Sequence, residues 1–231
     1  MSHPGTDDHT LADILEPERF SEEALRPVRQ LNRALLDLLV ASAGQPVSDA
    51  QPRIVVSLGP TLLDLEAAAR DELAGCPIAL VDFGFRNAEF WRQIESGQTV
   101  LPSLPPCFPP LQAIQLAQTT LTLAWTLWHS NREVAAIIFG LAPECGAILA
   151  RAGVQAIPRI AEISAHCVRP RWETDTTFWR QLIRIAQSVD SPHPRLPTVG
   201  LYAMQRQLGD LISLSAPPAT GETASTRANH R

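Results

Sequence analysis

The sequence predicts an all-α protein made of two similar small helical units, helix-turn-helix-like in character and packed as a pseudo-dimer. Three observations carry that expectation. Leu, Ile, Val and Ala recur at helical spacing in several stretches. The segment Phe90-Trp91-Arg92-Gln93-Ile94 returns as Phe178-Trp179-Arg180-Gln181-Leu182. Residues 100–110, with five prolines, separate the two occurrences as a linker would.

The matching order of flanking elements strengthens the repeat. Leu58-Gly59-Pro60 answers Leu141-Ala142-Pro143, and a leucine-rich stretch precedes each. An Arg-aromatic element follows each: Phe83-Gly84-Phe85-Arg86 in the first unit, Arg169-Pro170-Arg171-Trp172 in the second. Tandem duplication accounts for this order. Each unit is too small to bury its whole apolar face, so the two should pack together. The expected division is an acidic lead-in at 1–20, a first repeat at 21–99, the linker at 100–110, a second repeat at 111–190, a C-terminal segment at 191–214 and a disordered polar tail at 215–231.

Element by element, 21–43 reads as helix, with Ser21 as cap, Glu22 and Glu23 in the first turn and a restart expected at Pro27. Residues 44–52 read as a loop. The run 54–58 is β-branched and fits either a strand or a turn of buried helix. Pro60 opens a helix expected over 61–73. Further helices are expected at 111–130, 132–139, 143–152, 157–164, 176–189 and 198–214.

Composition narrows the function classes. The 231 residues are 45% hydrophobic and 19% charged, enough apolar content for a real core. The apolar runs are too short for a transmembrane helix, and the polar N-terminus does not read as a secretory signal, so a cytoplasmic location is expected. All 19 basic residues are Arg, and the net charge is −5. Residues 1–100 carry 16 acids against 8 arginines, net −8, whereas 101–231 carry 8 acids against 11 arginines, net +3. Any nucleic-acid contact is therefore expected from the second half.

Catalytic and metal chemistry find little support. Cys76, Cys107, Cys145 and Cys167 form no Cys-x-x-Cys pair, and no His lies at ligand spacing from two of them, so no metal site is expected. They read as small buried hydrophobes. The nearest thing to a nucleophile is Cys167 beside His166, with Glu162 or Asp175 as orienter, but adjacent residues point apart and do not form a dyad. No phosphate loop or hydrolase motif is present. The expectation is a non-enzyme without cofactors.

From Leu121 to Trp172 the second unit resembles FlhD, a subunit of the FlhD–FlhC flagellar transcription regulator. The resemblance rests on Leu121-Thr122-Leu123-Ala124 and Leu127, then Val134-Ala135-Ala136-Ile137-Ile138, Phe139-Gly140-Leu141 with Glu144, and Leu149-Ala150. It continues through Ile160-Ala161-Glu162 and Cys167-Val168 to Arg171-Trp172. The first unit resembles the family more loosely, through Leu31-Asn32, Leu58-Gly59 and residues 83–86. FlhD-type proteins are helical, dimeric and cytoplasmic. The resemblance thus implies a transcription-regulator subunit acting with an FlhC-like DNA-binding partner, on DNA through that complex and on RNA polymerase. This chain departs from the family in carrying two copies, and it lacks the cysteine cluster of FlhC. The alternative is a helical adaptor of a bacterial secretion or motility machine without DNA binding.

Residues 132–152 themselves have helix-turn-helix character, with Gly140 at the turn and Pro143 opening the second helix. That second helix, with only Glu144 and Arg151 charged, is a poor reader of base edges and is expected to pack against another helix. The candidate phosphate contacts are Arg132, Arg151, Arg159, Arg169 and Arg171, the densest cluster being 169–171. An acidic chain is not expected to bind specific DNA alone.

Overall fold

The computed structural model describes residues 22–98, 105–188 and 196–215. The expected lead-in at 1–20, most of the linker, the stretch 189–195 and the tail from 216 lie outside the described residues. What is described is all-α apart from one two-stranded pair.

The first half runs α1 (Glu22–Ala43), α2 (Arg53–Leu63), α3 (Ala67–Ala74), β1 (Val81–Asp82) and α4 (Ala88–Glu95). The second runs α5 (Pro110–Ser130), α6 (Arg132–Phe139), α7 (Pro143–Ala152), α8 (Ile157–Ser164), β2 (Arg169–Pro170) and α9 (Thr176–Gln187). A last helix, α10 (Leu196–Ser215), follows.

Helix α1 forms because Val28, Leu31, Leu35, Leu36 and Leu39 share one fully buried stripe. It does not restart at Pro27. That proline lies inside the continuous helix, and burial of the leucine stripe offsets the one missing backbone bond. The run 54–58 is helical, because Ile54, Val55 and Leu58 bury one face against α1. Packing here overrides the strand preference of the β-branched residues. The helix expected over 61–73 is two helices. Leu65 turns into the core after the chain leaves α2, and Glu66 is extended (ψ 158°) before α3 begins.

The halves follow the same plan. Helix α2 bends at Leu58 (φ −125°, ψ 15°) ahead of Pro60, where the second half breaks into α6 and α7 ahead of Pro143. Asn87 caps α4 by accepting from the Phe90 N–H at 3.0 Å, and Asp175 caps α9 by accepting from the Phe178 N–H at 2.9 Å. Trp91 and Trp179 are both fully buried. Their indole N–H groups donate to the carbonyls of Gly84 (3.0 Å) and Arg171 (2.9 Å). Gly84 and Trp172 sit three residues before their caps, and both have positive φ, 66° and 53°. Trp172 is the only such non-glycine among the described residues.

The halves also interlock. Strands β1 and β2 pair antiparallel, Val81 opposite Pro170 and Asp82 opposite Arg169. Helix α4 of the first half packs on α7 of the second, and α9 of the second packs on α2 and α3 of the first. The Ala79 N–H donates to the Ile138 carbonyl, and the Ala142 N–H donates to the Phe85 carbonyl, each at 3.0 Å. The buried side chains form one continuous cluster.

Candidate nucleic-acid interface

The bent pair α6–α7 is built by local signals. Asn131 caps α6 by accepting from the Val134 N–H at 3.0 Å. Gly140 ends the helix in the left-handed region (φ 64°), and Pro143 opens α7 after a three-residue turn. The two axes meet at 111°, within the range of a helix-turn-helix.

The second helix of this pair packs on both α5 and α4. Its inner face buries Cys145, Gly146, Ile148 and Leu149. Gly146 lies so close to the Trp128 ring that a Cβ would come within 2.4 Å of it. Its outer charges are both engaged by α4. The Arg92 Nε donates to the Glu144 carboxylate and the Arg151 Nε to the Glu95 carboxylate, each at 2.8 Å. The helix packs as the sequence suggested, and the neighbour that covers it comes from the other half.

The five candidate arginines do not form one surface. Arg132 is exposed, its guanidinium 5.6 Å from the centre of the Trp128 ring. Arg159 is exposed on α8 and enters no ion pair among the described residues. Arg151 is exposed but paired to Glu95. Arg169 is largely covered, with Nε on Glu173 at 2.7 Å and Nη1 on the Pro105 carbonyl at 3.1 Å.

Arg171 corrects the expectation most sharply. It is 5% exposed and points into the core. Its Nη1 donates to the carbonyls of Ile138 (2.9 Å) and Ala79 (3.3 Å), and its Nη2 donates to the Gln207 side-chain oxygen on α10. The guanidinium also lies 4.6 Å from the centre of the Trp172 ring. Burial pushes its pKa down to about 10, with Asp82 opposing, so it stays charged at neutral pH. Gly140 makes room for it, since a Cβ there would come within 1.9 Å of Nη2. The residues 169–171 are therefore a strand and a core anchor rather than an extended basic turn. Sequence reasoning missed the role of α10, whose Gln207 faces Arg171 and whose Asp210 accepts from the Trp172 indole (2.8 Å) and pairs with Arg86 (3.2 Å). The available signal was the polar run Gln205-Arg206-Gln207, with Asp210 after it, inside a helix whose other residues are mostly apolar or small.

The nucleophile and metal possibilities gain nothing. Burial raises the thiols of Cys76 and Cys107 to about 12 and those of Cys145 and Cys167 to about 11, opposite to what a reactive cysteine needs. Among the described residues no group of three His, Cys, Asp or Glu side chains could hold a metal ion. Among the described residues no single helix is long and apolar enough to cross a membrane. No family model, no curated protein and no solved structure matches this chain.

Proposed function

We propose that this chain is a non-catalytic, cytoplasmic scaffold subunit that takes part in transcription control through a DNA-binding partner and reads no base sequence itself. One observation carries the reading. The helix that a helix-turn-helix would lay in the major groove packs against α4, and its two charged side chains pair with Arg92 and Glu95. A rigid body with two interlocked halves suits the dimer-like part that the FlhD resemblance implies. The phosphate contacts and base readout would then come from an FlhC-like partner. A second reading, an adaptor of a secretion or motility machine without any DNA role, is favoured by the inward turn of Arg171 and the tethering of Arg169. Those placements remove the densest basic cluster.

Co-expression with a cysteine-rich, FlhC-like protein tests the proposal. The expected result is a stable complex that shifts a duplex from the regulated upstream region. Failure to form any complex would overturn the transcription reading. A complex that forms without shifting DNA would move the assignment to the adaptor.

A further inference from the structure

The repeat itself points to a place where, among the described residues, a contact made in one half has no counterpart in the other. Helices α4 and α9 begin alike, from the Asn87 and Asp175 caps, but they end differently. Helix α9 runs four residues further in register, over 184–187, and within that extra turn Ala186 is buried as the helix packs on α2 and α3. Helix α4 stops at Glu95, and the chain turns away through Gly97 (φ 71°).

The surface that a longer α4 would cover is an open cleft of about 340 Å³ between the end of α4, α7 and α8. Ile94, Ile148, Ile160 and Ile163 line it, and Ile163 is 48% exposed. Arg151 and Arg159 also line it. Glu95 is the only acid among its lining residues, and it is already paired with Arg151. Arg159 has no ion pair among the described residues. The site therefore offers an apolar floor and one uncompensated cation.

We propose that this cleft receives one turn of an amphipathic helix from a partner protein. The turn would present two apolar side chains three or four residues apart and an acidic side chain that pairs with Arg159. The proposal rests on the scaffold reading and adds to it where the partner docks and what chemistry docks there. Charge complementarity selects the occupant: an acidic helix satisfies Arg159, whereas another basic segment would leave it opposed.

The test uses the full chain, immobilised, against a displayed library of amphipathic helical peptides. The expected result is enrichment of peptides with paired branched apolar residues and an adjacent Glu or Asp. Their affinity should fall by roughly tenfold or more on Arg159→Glu or Ile163→Asp, as for truncation at the centre of an interface. A peptide with Lys in place of its acid should recover binding to the Arg159→Glu variant. Both substituted residues are exposed, and unchanged thermal melts would show that the variants fold. Three results would overturn the proposal: recovery of no peptide, equal binding of enriched peptides to both variants, or a self-association that Ile163→Asp abolishes. Displacement of the peptides by duplex DNA at physiological salt would overturn it as well. If the partner complex forms and ignores both variants, the docking site is wrong and the scaffold reading stands. If the chain alone binds specific DNA, the scaffold reading falls whatever the peptides do.

Discussion

Replacing Arg171 by Met separates a core anchor from a phosphate contact. The substitution keeps an unbranched stem of similar length and removes the guanidinium. The Ala79 carbonyl and the Gln207 side-chain oxygen then lose their donor, whereas the Ile138 carbonyl keeps the Ala79 N–H at 3.0 Å. Two buried acceptors left unpaired cost about 1–3 kcal/mol each. Loss of the contact with the Trp172 ring, at 4.6 Å, adds up to about 2 kcal/mol. Against these losses, Met needs no desolvation of a charge, whereas the buried guanidinium of Arg171 does. The net expectation is a destabilisation of about 2–4 kcal/mol, a large share of the ~5–15 kcal/mol that holds a typical fold. Urea unfolding followed by tryptophan fluorescence measures it as a lower midpoint at an unchanged slope. Arg169→Ala, which breaks a partly covered ion pair, should cost about 1 kcal/mol or less. A change below about 0.5 kcal/mol for Arg171→Met would refute the inward placement of the guanidinium.

Four further outcomes follow from the packing. Gly146→Ala should destabilise by about 1–2 kcal/mol, because collision with the Trp128 ring outweighs the gain in helix propensity. Gly59→Ala meets nothing within 4 Å and should be neutral or stabilising in the same melts. Native protein at about pH 8 should react slowly with a thiol reagent at Cys76, Cys107 and Cys145, all buried with raised thiol pKa, and fully on unfolding in urea. Burial holds His166 below its ordinary pKa, and its Nε2 is buried without a hydrogen-bond partner. Its contribution is therefore complete above about pH 6.5 and is lost as pH falls through the folded value, because the unfolded chain takes up the proton first. His166→Gln should flatten the stability profile on the acid side of that range, as read by urea midpoints at several pH values.

Much of the second half was legible because its boundaries are written in local chemistry. Asn131, Gly140 and Pro143 fix the ends of α6 and the start of α7 at the expected residues. The Phe-Trp repeat could be read as a pair of amphipathic helices, since Phe178 and Leu182 fall on one face and are both buried. The strand pair was illegible, because two residues in each strand leave no alternation to detect. The break between α2 and α3 depends on Leu65 finding the core, a tertiary event without a turn signature. Arg171 misled for a related reason. An Arg between Pro170 and Trp172 looks solvent-facing until Gly140, Ile138 and Gln207 are brought around it from distant parts of the chain. The candidate basic surface thus shrinks to Arg132 and Arg159 as exposed side chains without an ion pair among the described residues, and these lie on different helices.

Fluorescence anisotropy with a labelled duplex from its own upstream region measures whether this chain reads DNA unaided. For a scaffold subunit the expected binding is no tighter than the ~10⁻⁴–10⁻⁶ M range of non-specific association, equal for a scrambled duplex. Its salt slope should not exceed about 2, the number of unpaired arginines among the candidates. Nanomolar binding that distinguishes the native duplex from the scrambled one, at about physiological salt and without a partner, would contradict the scaffold reading.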